Sequence, residues 1–399
     1  MINISDFIKR EVIQRKHSMF QQDLDSNWKF LDNAIKNKSV LVIGGAGTIG
    51  SNYIKALLPF NPKSLVVVDI NENGLTELTR DLRSSMSENM PSEYITYPMN
   101  YINRAFFRMF RNRGGFDIVA NFSAHKHVRS EKDIYSIEAL IRNNVINAKI
   151  LLDTLEEYPP THFFCVSTDK AANPVNLMGA SKKIMEDLIM TYSMKFKITT
   201  ARFANVAFSN GSLLAGFLER IAKQQPICAP NDVSRYFVSP KESGQICLLA
   251  CILGKTKDIY FPKLKKEQMM NFSIIATKLL KHYGFEILLC KSEKEAIKMS
   301  KNIKKKYPVF YSESDTSGEK LFEEFYTDSD NVFLNRHYNL GVVNNTEVKQ
   351  SHELDNLIQE FEYLFEIDQT DKTDIIKIVK NFLVSFEHIE TGKSLDSKM

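Results

Sequence analysis

The sequence predicts an α/β protein: a doubly wound parallel sheet, followed by a smaller lobe and preceded by a helical extension. Three observations carry this. Apolar segments from Ser39 onward run continuously instead of alternating, as strands buried on both faces do. Helical stretches separate them. The first strand ends in a glycine-rich turn, and the second ends in Asp69 about twenty residues on.

In order, "SVLVIGG" precedes a helix through Leu58, and "KSLVVVDI" a helix around Leu75 to Arg83. "FDIVANFSA" leads to a helix near residues 136–157, "THFFCVSTD" to one at 179–195, and "ITTARFANV" closes the series. Residues 1–37 form the amino-terminal extension, in which Phe20, Leu24, Trp28, Leu31 and Ile35 recur on one helical face. That face predicts packing on the domain or on a second subunit. A cofactor-binding domain is expected over 38–205, a substrate lobe over 206–330 and a helical tail over 331–399. The Lys-rich segment 291–306 reads as a solvated helix face. The closing "TGKSLDSKM" is expected to be disordered.

The chain has 399 residues, 43% hydrophobic and 25% charged, with a net charge of +4. That charge admits an anionic substrate, but no dense basic stripe points to nucleic acid. Five scattered cysteines make no disulfide framework, and Cys247 and Cys251 in an apolar run read as buried thiols, so no metal is expected. No apolar run approaches the roughly 20 residues of a membrane span, and no signal peptide opens the chain. The expectation is a cytoplasmic protein without a membrane span.

"VLVIGGAGTIGS" sets Gly44, Gly47 and Gly50 three apart, between a strand and a helix, around Thr48 and Ile49. Glycine there permits a tight turn, close approach to a pyrophosphate, and helix–strand packing. The pyrophosphate meets the positive end of the helix. A carboxylate at Asp69 can hold a ribose 2′-hydroxyl, where a 2′-phosphate would be repelled, so NAD is favoured over NADP.

The GxxGxxG spacing resembles the fingerprint of the extended short-chain dehydrogenase/reductase superfamily, which has the Rossmann fold. "NFSAHKHVRSEKD", "RNNVINAKILLD", "STDKAANPVNLMGASKK", "RFANVAFSNGSLLAGF", "RYFVSPKESGQICLLA" and "SGEKLFEE" resemble, in order, segments of nucleotide-sugar 4,6-dehydratases of the polysaccharide-biosynthesis group. The resemblance covers about residues 39–326. It implies NAD at the glycine loop, Asp69, Ser123 and Lys182. It places a nucleotide-diphosphate sugar, UDP-N-acetylglucosamine foremost, near Lys126, Met178, Asn205, Arg235 and Glu319. In such enzymes a hydride leaves C4, the C5 proton is removed, the C6 hydroxyl departs as water, and the hydride returns to C6. The resemblance makes Thr168 the partner of the 4-oxygen, Asp169 the acid at C6 and Lys170 the base at C5. Lys182 would hold the nicotinamide ribose.

Two departures stand out. The superfamily's catalytic Tyr is replaced by Met178, which can take no proton, although a branch of the dehydratases carries Met there. The group taking the 4-hydroxyl proton is then open among Asp169, Lys170 and water. "TSG" also replaces an Arg-Pro-Gly lead before Glu319 and Lys320. A 4-epimerase would need the missing Tyr but not the Asp–Lys pair. A non-catalytic NAD-binding module has no need of Thr168, Asp169, Lys170 and Lys182 together. Apolar helix faces at 138–155 and 179–192 predict a homodimer or higher homo-oligomer.

Overall fold

A computed structural model describes residues 3–314, 317–318, 320, 322–344 and 348–391. Glu319, and the polar ending from residue 392, lie outside the described residues. After helix α1 (Gln21–Ile35) come β1 (Ser39–Ile43), α2 (Thr48–Leu57), β2 (Ser64–Asp69), α3 (Glu72–Ser85), β3 (Glu93–Pro98) and β4 (Ile118–Asn121). The chain continues through β5 (His162–Val166), α4 (Leu177–Thr191), β6 (Ile198–Ala201), α5 (Pro240–Leu253) and β7 (Asp258–Pro262). Strands β8 (Val332–Phe333) and β9 (Leu340–Asn344) and helices α6 (Ser351–Phe365) and α7 (Lys372–Phe382) complete the described elements used below.

These nine strands form one sheet in the order β8-β9-β7-β6-β5-β4-β1-β2-β3, parallel from β3 across to β7, with β9 antiparallel to β7 and to β8. Helices cover both faces, so the inner strands are buried along nearly their whole length, while edge strand β3 is only half-buried. The connections reverse direction between β1 and β4, the switch point at whose carboxyl ends open α/β sheets bind their ligands.

A second core belongs to the smaller lobe. Its sheet runs Glu286–Leu289, Lys306–Ser312, Ile227–Pro230, backed by Leu213–Ala222 and Phe272–His282. The lobe is not one stretch of chain. α5 and β7, both inside 206–330, return to the large sheet, and α5 lies so close to α2 that a Cβ on Gly244 would stand 2.1 Å from the Asn52 carbonyl oxygen. Residues 7–13 of the extension pack instead into the lobe. Arg15 then pairs with buried Glu242 at 2.8 Å, and α1 lies on the large core through Phe20, Leu24, Leu31 and Ile35. Trp28 departs from the predicted face: it is 47% exposed and leans on Phe60.

The helix expected over 136–157 contains a wide π turn at Arg142–Ile146. The turn presents Asn144 to the loop after β4, where its amide donates to the His125 carbonyl and to Ser181 Oγ. Helix α4, expected to pair subunits, is covered by the chain's own α6, whose Leu354, Leu357, Ile358 and Phe361 enter the large core. Lys149, on the neighbouring helix, reaches Asp355 of α6 at 3.5 Å. Helix Glu293–Ser300 exposes its lysines, as a solvated face does.

Candidate active site

The turn after β1 is shaped for close approach. Gly44 has φ of +75°, and a Cβ there would lie 2.7 Å from the Ser123 backbone nitrogen. A Cβ on Gly50 would lie 2.4 Å from the Gly44 carbonyl oxygen, whereas one on Gly47 would meet that atom at an ordinary 3.5 Å. Gly47 caps α2 without a side-chain acceptor, so the first-turn amides of Thr48, Ile49 and Gly50 carry no side-chain cap. Thr48 Oγ1 accepts the Asn210 amide at 3.0 Å, which ties the turn to the lobe side. Asp69 stands beside the turn, accepting the Ala46 amide at 3.0 Å. Glycine loop, carboxylate and Ser123 thus meet at one sheet edge, in an arrangement that fits a dinucleotide.

At the end of β5 Thr168 Oγ1 donates to Asp169 Oδ1 at 2.9 Å, and Lys170 Nζ donates to the same oxygen at 3.0 Å. On its other side Lys170 Nζ lies 3.5 Å from Glu323 Oε1, which is 3.8 Å from Arg235 Nη2. Two acids and two bases therefore alternate in a cluster that is almost closed to water. Burial disfavours the Lys170 ammonium, but the Asp169 and Glu323 charges outweigh it and hold its pKa above the usual lysine range. Burial also pushes the Glu323 carboxyl up, helped by Asp169 and opposed by Lys170 and Arg235. Both directions mean that the cluster retains protons.

Nothing in the sequence marks Glu323, which follows an ordinary apolar pair in "KLFEE". Arg235, expected near the nucleotide-diphosphate sugar, points at Glu323 and donates to the Ser234 carbonyl. Lys126, expected on substrate, donates to the Asn210 carbonyl at 3.0 Å, and partial burial lowers its pKa. Asn205 is half-buried, its amide donating to the Tyr236 carbonyl beside the cluster-bearing segment. Lys320, next to the undescribed Glu319, donates to the Asn173 carbonyl at 2.6 Å.

Met178 is buried, and its backbone amide donates to Glu131 Oε1 at 3.2 Å. One turn on, buried Lys182 has its Nζ 3.5 Å from the Met185 sulfur. Burial drives its pKa down, against weak support from Cys165 and Glu186. Beneath the cluster, buried Arg202 forks onto Glu186 at 2.9 and 2.7 Å, and Ser167 Oγ donates to the same carboxylate at 2.6 Å. Arg202 also donates to the Phe325 carbonyl, which holds the Glu323 segment against the end of β5.

Residues 40–345 match the model of a family described as polysaccharide biosynthesis protein. The chain belongs to the polysaccharide biosynthesis protein family. Among curated proteins, an uncharacterized membrane protein of Methanocaldococcus jannaschii is 32% identical over 64% of this chain and 76% of its own. The chain spans less than half the length of two further relatives, 38% and 45%. A UDP-N-acetylglucosamine 4,6-dehydratase (inverting) of Campylobacter jejuni is 26% identical over 61% of this chain and 72% of its own, and a UDP-glucose 4-epimerase of Rickettsia typhi is 27% identical over 62% and 72%. In fold, the chain is similar to Pen from Bacillus thuringiensis, with a TM-score of 0.63, 20% identity, and coverage of 82% of this chain and 98% of that one. Among the described residues no helix is long and apolar enough to cross a membrane.

Proposed function

We propose that this family member is an NAD-dependent nucleotide-sugar 4,6-dehydratase acting on UDP-N-acetylglucosamine, in the synthesis of surface polysaccharide sugars. The observation that carries the reading is the Thr168–Asp169–Lys170 run at the carboxyl end of β5, hydrogen-bonded within itself, with Met178 in the place of a proton-transferring Tyr. NAD, held by the glycine loop, Asp69, Ser123 and Lys182, would supply reversible hydride acceptance. The smaller lobe would lie over the sugar, with Lys126 and Asn205 on the substrate side.

The chain's residues can then do the following. Thr168 hydrogen-bonds the 4-oxygen, takes the 4-hydroxyl proton and passes its own to Asp169, along the 2.9 Å contact between them. Asp169, now the acid, protonates the departing C6 hydroxyl. Lys170 removes the C5 proton and, after water has left, its ammonium returns a hydrogen drawn from those exchanged with the solvent. The proton taken from the 4-hydroxyl leaves in that water, so Asp169 and Lys170 end each turnover as they began.

Relatives named as epimerases match at comparable identity, so 4-epimerisation is the second reading. It would leave the Asp–Lys pair without work and would need a proton carrier where Met178 stands. Proton NMR of the protein with UDP-N-acetylglucosamine in deuterated water decides between them. A new C6 methyl signal with deuterium at C5 is expected. A change of configuration at C4 with C6 intact would establish the epimerase instead.

A further inference from the structure

We propose that Glu323 holds the proton that Lys170 must give up before it can act as a base. The inference rests on the dehydratase reading. A lysine between two carboxylates is an ammonium, and an ammonium removes no proton. Its proton needs a destination in a site where only 17% of the Lys170 side chain is exposed. Asp169 is unsuited, because it must receive the 4-hydroxyl proton and deliver it to the C6 oxygen. Glu323 remains, with Oε1 3.5 Å from Lys170 Nζ and the carboxylate 95% shielded from water.

The balance closes without outside help. An N–H bond of Lys170 breaks and an O–H bond forms on Glu323; nothing is oxidised or reduced. The set Asp169⁻, Lys170⁺, Glu323⁻, Arg235⁺ becomes Asp169⁻, Lys170⁰, Glu323-H, Arg235⁺, and both sum to zero. A buried site therefore bears no change of net charge. The elevated pKa of the buried Glu323 carboxyl agrees with its holding a proton. The groups that face Glu323 are Lys170 and Asp169 from the end of β5, Arg235 from the lobe side and Lys320 from its own segment. Arg235, always charged, keeps the carboxylate facing Lys170 in either state. Glu323 touches no reacting atom in this scheme and acts through Lys170, as a positioning and proton-holding residue.

The test compares wild type, E323Q and E323D, all loaded with NAD, with UDP-N-acetylglucosamine in deuterated water. Absorbance at 340 nm follows oxidation at C4, and NMR follows C5 exchange and the C6 methyl. In E323Q the 340 nm rise is expected to persist while C5 exchange falls by about 100-fold at neutral pH, the scale of one lost acid–base group. Activity of E323Q should recover as the pH climbs towards the lysine range, and E323D should keep most of the wild-type rate. C5 exchange at the wild-type rate in E323Q overturns the proposal. So does an E323D as impaired as E323Q with an unshifted pH profile, which marks a purely structural role. A wild type that oxidises no nucleotide sugar at C4 overturns the dehydratase reading, and this inference with it.

Discussion

His388 Nε2 lies 3.1 Å from one carboxylate oxygen of Glu131, and the other oxygen accepts the backbone amide of Met178. The carboxyl-terminal segment is thereby wired to the first turn of α4, the helix that carries Met178 and Lys182. Two backbone bonds reinforce the link: Ile389 donates to the Val175 carbonyl and Gly318 to the Ile389 carbonyl, both at 3.0 Å. The strap joins the segment after β5 to the one that leads to Glu323.

Replacing His388 by Leu strips Glu131 of its ring partner in a site closed to water. H388L is expected to lose about 1–3 kcal/mol in urea unfolding, the cost of a buried polar group left unpaired. H388Q, whose amide can still donate, should lose less than half as much. Equal losses in both would mean that packing, not the hydrogen bond, holds the strap.

Arg202 and Glu186 form a buried pair at 2% and 0% side-chain exposure. R202L leaves the Glu186 charge uncompensated and is expected to cost about 3–5 kcal/mol by chemical denaturation. Burial alone would raise the Glu186 pKa, but Arg202 overrides it and holds the carboxyl below its usual 4.5. Its contribution is therefore full above that value and fades as the pH falls through the lower folded-state value. Acid titration of wild-type stability should show this loss, and E186Q should remove that part of the pH dependence.

The glycines of the first turn can be told apart. G50A forces a Cβ onto the Gly44 carbonyl at 2.4 Å, so it should lose both stability and NAD binding. G47A meets nothing closer than 3.5 Å and should melt as wild type does. Calorimetric NAD titration of G47A then isolates the ligand's own need for glycine: weakened binding with unchanged melting is the expected result.

Helix α6 covers α4, so the full chain is expected not to pair subunits through α4. Light scattering on a chain cut after residue 344 should show association that the full chain lacks, because the cut uncovers the apolar face under Leu354, Leu357 and Phe361. F361A, which leaves the helix in place, should cost about 3–5 kcal/mol as a core cavity without promoting association.

Local pattern carries information wherever neighbours in the chain share one environment. Strands β1, β2, β4, β5 and β6 were legible because a parallel sheet covered on both faces demands unbroken apolar runs, whereas the half-buried edge strand β3 has no such run and went unnoticed. The glycine turn, Asp69 and the Thr168–Asp169–Lys170 run were legible because each lies within one turn or one strand end. The interleaving of the lobe was not, since the apolar run of α5 reads alike whichever sheet it packs on. Trp28 misled for a related reason: a helical face has the right period even where the domain beneath it stops short.

By itself, then, the sequence determined the layered α/β architecture, the cofactor turn and the acid–base pair at the end of β5, all written in periodicity and short spacing. Only the tertiary structure decided what surrounds that pair. Glu323 and Arg235 reach it from two separate segments, Glu131 and His388 meet at the Met178 amide on the next helix, and Arg202 holds the Glu323 segment from below. Charges that meet through space leave no period in the chain, yet in a closed, low-dielectric site they set where each proton sits.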